Sequence, residues 1–143
     1  MAVSRLAHMT SPTSNHLLSM KPVTTTNAPT PAGHYSQGMI HNGLVFVSGQ
    51  VAIDPATGER KTGSIEEQTL MTLQNVKGVL EAAGSSLDRV LKTTVFVTSI
   101  DHWDAVNKVY AEFFGDHKPA RAIIPSRDLH YGFLIEIEAI ATV

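Results

Sequence analysis

The sequence predicts a single domain built on a β-sheet that contains parallel pairings and carries helices on one face. The chain has 143 residues, of which 43% are hydrophobic, enough for one ordinary domain with its own core. Runs of β-branched residues alternate with segments of helical periodicity, in the order strand, strand, helix, strand, helix, strand, strand. Helical crossovers of this length join parallel strands and cover a face of their sheet.

The first elements are predicted to be a hairpin followed by a helix. The apolar, β-branched run 44–53 predicts a strand, and the turn at residues 41–43 pairs it with residues 36–41. Ser64 and Glu67 form a capping box, which predicts that a helix begins there. Its apolar face then recurs at helical spacing up to a stop at Gly84, through Ile65, Thr69, Leu73, Val76, Leu80 and Ala83.

The second half of the chain continues the alternation. Residues 90–98 predict a strand, and a shorter helix follows Asp101 with one face made of Trp103, Val106, Tyr110 and Phe113. Another strand opens at Ala120. The last strand, residues 134–143, alternates, with Ile135, Ile137, Ala139 and Ala141 on one face and Leu134, Glu136, Glu138 and Ile140 on the other.

We expect residues 1–22 to form a flexible tail and residues 23–143 to form the domain. The tail lacks the apolar core of a secretory signal. Residues added for expression, or a weak organellar presequence with Met20 as an internal start, would explain its basic, acid-free composition. We therefore expect a cytoplasmic protein, or an organellar one if the tail is a presequence. No segment has the roughly 20 apolar residues that a membrane span requires, so no membrane partner is expected.

Composition excludes several kinds of site. The formal charge is −2 and no Lys/Arg run is present, so a nucleic-acid partner is not favoured. Cysteine is absent, and the seven histidines lack HxH and HExxH spacing, so no metal site is predicted. No glycine-rich phosphate loop occurs. Ser48 lacks the glycine two residues before it that a nucleophile elbow requires.

Arg121 needs an explanation, because it places a permanent positive charge in a predicted apolar strand. A guanidinium group binds a carboxylate or phosphate through two parallel hydrogen bonds, so an anionic ligand is one interpretation. The alternatives are an internal salt bridge to Glu136 or Glu138, or a strand-edge position with the charged group in water. The two glutamates lie on one face of the last strand, which is either solvated or covered by a partner subunit.

The chain resembles the YjgF/RidA family of enamine/imine deaminases, formerly called translation inhibitors or L-PSP ribonucleases. The resemblance covers roughly residues 23–143 in order and without large gaps. It rests on the segments NAPTPAGHYSQG, LVFVSGQVAIDPATGE, EQT, LQNVKGVLEAAG, VLKTTVFV, VNKVYAEFF, KPARA and IEIEAIA.

This resemblance implies an α+β, chorismate-mutase-like fold: a mixed β-sheet with two helices packed on one face. It also implies a homotrimer with clefts between neighbouring subunits. Arg121 is implied to bind the substrate carboxylate and Glu136 to orient or activate water. The remaining residues implied to line the cleft, two of them through backbone groups, are Tyr35, Ser48, Asn107, Gly49 and Ile123.

The implied reaction is hydrolysis of a small 2-enamino or 2-imino acid, such as 2-aminoacrylate or 2-iminobutanoate, to a 2-keto acid and ammonia. No cofactor is implied, and Glu136 is expected to stay ionised beside Arg121. His34, Ala122 and the pair His130-Tyr131 depart from the family pattern, which leaves the substrate open. The alternatives are a larger enamine acid such as an aminomuconate, a non-catalytic ligand-binding or chaperone-like trimer, and an RNA-cleaving translation inhibitor.

Overall fold

A computed structural model describes residues 19–143, so residues 1–18 of the predicted tail lie outside the described residues. Within these described residues, six strands and two α-helices follow one another. They are β1 (Lys21–Val23), β2 (Gly38–His41), β3 (Leu44–Gln50), α1 (Ile65–Ala82), β4 (Val90–Val97), α2 (Trp103–Phe114), β5 (Ala120–Pro125) and β6 (Ile135–Thr142).

The strands form one mixed sheet in the order β1-β2-β3-β6-β4-β5. Only β4 and β5 pair in parallel, and the other four pairings are antiparallel. The crossover through α1 does make β3 and β4 run in the same direction, as predicted. The last strand, β6, is inserted between them and pairs antiparallel with both, so this parallel relationship involves no direct hydrogen bonds.

The first strand begins earlier than the predicted domain. Lys21 and Pro22, assigned to the tail from the sequence, belong to β1 and pair with Ile40 and Met39 of β2. Such a short strand carries little periodicity, and a proline is tolerated because β1 lies at the edge of the sheet. The boundary predicted between residues 22 and 23 therefore falls inside β1.

Both helices lie on one face of the sheet and enclose the core. The capping box is present as predicted: the Ser64 hydroxyl accepts from the Glu67 amide, and the Glu67 carboxylate accepts from the Ser64 amide. The predicted apolar face of α1 is buried apart from the partly buried Ala83. In α2 the buried aromatic residues are Tyr110 and Phe114, whereas Trp103 remains 39% exposed.

The alternation predicted for β6 is confirmed and fixes the orientation of the site. Ile135 and Ile137 are fully buried beneath the helices, so the glutamate between them projects to the opposite, open face of the sheet. That face also carries Phe46 and Ile124, which are 45% and 41% exposed. Within residues 19–143, no helix is both long and apolar enough to cross a membrane.

Candidate active site

Arg121 projects from β5 toward α2, on the helix-covered side of the sheet. Its Nη1 donates a hydrogen bond of 3.0 Å to Oδ1 of Asn107, one turn before Tyr110. The guanidinium carbon lies 4.7 Å from the centroid of the Tyr110 ring and 5.8 Å from that of Trp103. Aromatic faces attract a guanidinium through their quadrupole, so these contacts hold the side chain in place without neutralising its charge.

Tyr110 is itself fixed at the foot of this arrangement. Its hydroxyl lies 2.7 Å from Oγ1 of Thr93 on β4, and its ring packs 4.5 Å from that of Phe114. Burial raises the pKa of the Tyr110 hydroxyl, partly offset by the Thr93 hydrogen bond and the nearby Arg121 charge. The phenol is therefore neutral, and it serves Arg121 as a rigid aromatic support.

The predicted internal salt bridge of Arg121 is absent from the described part of the chain. Between residues 19 and 143, the ion pairs are Lys61 with Glu59 and Lys77 with Glu81. The half-buried guanidinium thus lacks a carboxylate partner there. It borders a cavity of about 410 Å³, into which the neighbouring His117 and Lys118 also face. The basic character of this edge suits an anionic ligand.

Glu136 occupies a second site, on the open face of the sheet, that a bulge in β3 creates. Val47 pairs with Ala139 and Gln50 pairs with Ile137, so β3 contains one residue more than β6 across this interval. The extra residue falls at Ser48-Gly49. A Cβ atom on Gly49 would overlap the Glu136 carboxylate, so only glycine permits this carboxylate to lie against the strand.

Around Glu136 is a cavity of about 600 Å³ that opens to the protein surface. Three of the predicted site residues, Tyr35, Ser48 and Gly49, line it together with Glu136. The Ser48 hydroxyl donates to the Ser36 carbonyl at 2.6 Å, which leaves its oxygen lone pairs to accept a hydrogen bond. The remaining walls come from Ala32, Gly33, Val51, Ile53, His130, Tyr131 and Glu138.

Three buried amide side chains hold the loops that surround this cavity. The Gln37 amide donates to the carbonyls of Ala28 and Pro29 in the segment that leads to Tyr35. The Asn75 amide on α1 donates to the carbonyls of Val51 and Ile53, at 3.0 and 2.8 Å.

Gln68, also on α1, accepts from the Leu134 amide at 2.8 Å, just before β6. Because buried polar groups require their partners, the bonds of Asn75 and Gln68 fix the cavity walls to α1, and those of Gln37 fix the loop before β2.

The pKa of Glu136 is raised above the usual value of a glutamate. Burial is the main cause and the charge of Glu138 adds to it, while His130 acts in the opposite direction. Arg121 of the same chain does not lie beside this carboxyl group, so the expectation that an adjacent Arg121 keeps Glu136 ionised stays a prediction for a cleft between subunits. A carboxyl group with a raised pKa is suited to exchange protons in catalysis.

The predicted site residues thus fall into two groups that a single chain does not bring together. Tyr35, Ser48, Gly49 and Glu136 surround one cavity on the open face. The other group is Asn107, Arg121 and Ile123, at the α2 side of β5, where Ile123 packs partly buried against the core. In the described sheet β5 is an edge strand, so its outer backbone groups pair with no other strand.

Several residues that shape these two sites were not predicted from the sequence. Arg60 lies over the ring of Tyr131 at 3.5 Å, and nothing in its loop sequence signals that contact. Trp103 was predicted only as part of an apolar helix face. It lies one helical turn before Asn107, and this spacing is the signal that could have placed it near Arg121. Residues 19–143 contain no cluster of three or more metal-ligating side chains.

Comparisons with known proteins agree with this arrangement of elements. Residues 25–143 match the family model described as Endoribonuclease L-PSP. A RutC family protein of Pyrococcus horikoshii is 48% identical over 117 residues, covering 82% of this chain and 93% of that protein. The human 2-iminobutanoate/2-iminopropanoate deaminase is 36% identical over 119 residues, covering 83% of this chain and 87% of that protein.

Solved structures share the fold as well. The crystal structure of E. coli TdcF with bound serine superposes with a TM-score of 0.82 at 36% identity, covering 86% of this chain and 98% of that one. The mixed sheet with two helices on one face is therefore the fold of these proteins.

Proposed function

The chain belongs to the Endoribonuclease L-PSP family, also called the YjgF/RidA family, and we propose that it hydrolyses small 2-enamino and 2-imino acids to 2-keto acids and ammonia. The name of the human relative, 2-iminobutanoate/2-iminopropanoate deaminase, supports this reaction class. Reactive compounds such as 2-aminoacrylate and 2-iminobutanoate are the proposed substrates.

One observation carries the proposal: an arginine that pairs with no carboxylate among residues 19–143, and a desolvated carboxyl group on the opposite face of the same sheet. A 2-imino acid offers a carboxylate for Arg121 and an electrophilic carbon for a water held by Glu136. A second copy of the chain can bring its β5 edge against the Glu136 cavity, so we propose a homotrimer whose clefts lie between neighbouring subunits. The serine bound to TdcF, an amino acid with a carboxylate, is consistent with a ligand of this size.

In the proposed cleft, Arg121 binds the substrate carboxylate through both arms of its guanidinium. Asn107 holds Nη1 and Tyr110 supports the guanidinium face, so the fork is oriented before the substrate arrives. Ser48 and Tyr35 line the opposite wall with hydroxyl groups. Positioning and acid–base help are sufficient for a compound that also hydrolyses unaided in water.

The chemical step begins once an enamine has taken up a proton at carbon 3 and become the imine. Glu136 accepts a proton from water as the water oxygen bonds to carbon 2, and the C=N electron pair moves onto nitrogen. Glu136 returns this proton to the nitrogen. The hydroxyl on carbon 2 then passes its own proton to Glu136 as the C–N bond breaks, the carbonyl forms and ammonia leaves, and Glu136 releases that proton to solvent. The raised pKa of Glu136 suits this carboxyl group both to accept a proton and to return it, which acid–base catalysis requires.

RNA cleavage, named by the family model, has less support in this chain. A phosphate backbone is bound by clustered cations, whereas the formal charge is −2 and the larger cavity contains Glu136 and Glu138. Retention on RNA at physiological salt would favour this alternative.

The experiment that tests the proposal is release of 2-keto acid and ammonia from freshly generated 2-aminoacrylate and 2-iminobutanoate. We expect release above the spontaneous rate in proportion to enzyme concentration. A protein that binds 2-keto acids but does not accelerate release would instead be a non-catalytic binding trimer.

A further inference from the structure

One wall of the Glu136 cavity has no role in the proposed chemistry. It is formed by Tyr131, whose backbone adopts φ 57° and ψ 18°, in the left-handed region. Residues with a bulky side chain rarely occupy this region, and such conformations persist where the surroundings impose them, often at ligand sites. The conformation turns the Tyr131 side chain into the cavity lining.

The Tyr131 ring is held by aromatic and cationic contacts. The guanidinium carbon of Arg60 lies 3.5 Å from the ring centroid, closer than either aromatic partner of Arg121. His130 meets the ring edge-to-face at 3.9 Å, and Phe133, fully buried, does so at 6.3 Å. Arg60 forms no ion pair within residues 19–143, so Tyr131 is its main partner there. These contacts restrain the ring, which is 42% exposed.

Apolar side chains continue this wall. Val51, Ile53 and Ala32 line the same cavity, and the Asn75 amide fixes the backbone of the first two. A bridge between Ile53 and Arg60 ties the loop that carries Arg60 to this part of the wall. Two carboxylates, Glu136 and Glu138, face the same space and disfavour a substrate with a second anionic group.

From this wall we infer a determinant of substrate choice, which rests on the proposed function. We propose that Tyr131, held by Arg60, is the surface on which the substrate's side chain packs, so that the site favours 2-imino acids with an extended apolar side chain. Arg121 binds the substrate carboxylate, and Glu136 holds the water that attacks carbon 2. The substituent on carbon 3 is then left to contact the wall that contains Tyr131. The cavity that a single chain forms here, before a second copy covers it, has a volume of about 600 Å³.

The test compares a short and a long ligand in five proteins. Calorimetry gives the Kd of pyruvate and of 4-methyl-2-oxopentanoate, which are stable 2-keto acids, and turnover gives kcat and KM for the corresponding 2-imino acids. The proteins are the parent, Tyr131→Phe, Tyr131→Asn, Arg60→Ala and Arg60→Lys. Asparagine tolerates a positive φ, so Tyr131→Asn removes the ring without adding backbone strain.

We expect Tyr131→Asn to lower the affinity for 4-methyl-2-oxopentanoate roughly 10-fold or more, because an apolar contact is lost. The affinity for pyruvate should change little. Turnover should show the same selective loss in KM rather than in kcat. Tyr131→Phe should preserve the preference of the parent. Arg60→Ala should lose part of the preference for the long ligand. Arg60→Lys keeps a cation over the ring and should therefore lose less of this preference than Arg60→Ala.

A ratio of the two affinities that is equal in the parent and in Tyr131→Asn would overturn the inference, whatever the enzyme does catalytically. An equal loss of affinity for both ligands in Tyr131→Asn would also overturn the inference, because it would show that Tyr131 has a purely structural role. Absence of turnover by the parent would instead contradict the proposed function, and the calorimetric ratio would still decide whether Tyr131 selects the side chain.

Discussion

Arg121 and Glu136 lie on opposite faces of the same sheet. Arg121 pairs in register with Thr93, whose hydroxyl contacts Tyr110 beneath the helices, whereas Glu136 pairs with Phe96 on the open face. Because side chains alternate strictly along a strand, no rotamer change brings the two groups together within one chain. A site that uses both must take them from two copies, and most of the predictions below depend on this geometry.

The first prediction concerns the oligomeric state. The open face exposes Phe46 and Ile124, and burial of such side chains between copies would stabilise an assembly. We expect light scattering to give about three times the 15.4 kDa chain mass. A monomer at micromolar concentration would contradict the shared cleft and, with it, the mechanism.

The second prediction concerns anion binding by Arg121. Arg121→Lys keeps the charge but loses the planar fork, so the affinity for pyruvate should fall roughly 10- to 100-fold. Asn107→Ala removes one hydrogen bond to the guanidinium and should have a smaller effect in the same direction. The single tryptophan, Trp103, lies 5.8 Å from the guanidinium, so its fluorescence should report the binding. If Arg121→Lys binds pyruvate as the parent does, Arg121 is not the carboxylate ligand.

The third prediction separates catalysis from binding at Glu136. Glu136→Gln is nearly isosteric but cannot accept a proton, so kcat should fall by about 10²- to 10⁴-fold while pyruvate affinity changes little. Glu138→Gln is the matched control, since Glu138 faces the same cavity but is more exposed. Comparable rate losses in the two variants would show that the charge of the cavity matters rather than a specific base.

The fourth prediction concerns pH. Glu136 acts as a base only when ionised, so kcat/KM should rise with pH through its pKa. Glu138 raises that pKa and His130 lowers it. Glu138→Gln should therefore shift the rising limb to lower pH than in the parent, and His130→Gln should shift it to higher pH. Shifts of the same sign in both variants would mean that the limb belongs to another group.

The stability of the folded protein should also depend on the ionisation of Glu136. Because the folded-state pKa of Glu136 lies above its unfolded value, ionisation of this group opposes folding, and its unfavourable contribution develops as pH rises through that interval. Glu136→Gln should flatten the corresponding fall in Tm with rising pH.

Local patterns in the sequence predicted most elements of the fold. The capping box at Ser64 and the alternation of β6 gave correct boundaries and faces, because both depend on neighbouring residues alone. The insertion of β6 between β3 and β4 depends on pairing between distant segments, which periodicity does not encode. Arg121 could not be assigned to a face, because the residues around it in β5 do not alternate.

The candidate site was predictable as a set of residues but not as a geometry. A glycine inside a strand is a known signal of a bulge, and Gly49 lies at the bulge that admits Glu136. The separation of Arg121 from Glu136, and the burial that raises the pKa of Glu136, required the strand register. The contact between Arg60 and Tyr131 joins two loops and has no signature in either.

The last prediction tests directly whether each cleft takes Arg121 from one copy and Glu136 from its neighbour. At substrate concentrations well below KM, Arg121→Lys is expected to keep about a tenth of the parent's activity or less, and Glu136→Gln less still. In trimers assembled at random from equal amounts of both variants, about a quarter of the clefts would combine an intact arginine with an intact glutamate, and activity should return to about that fraction of the parent. The matched control mixes the parent with the double variant, which should also give about a quarter if clefts are shared but about half if each chain forms its own site. Activity in the first mixture that stays at the level of the separate variants, together with about half in the control, would place both residues in one chain's site and contradict the geometry described above.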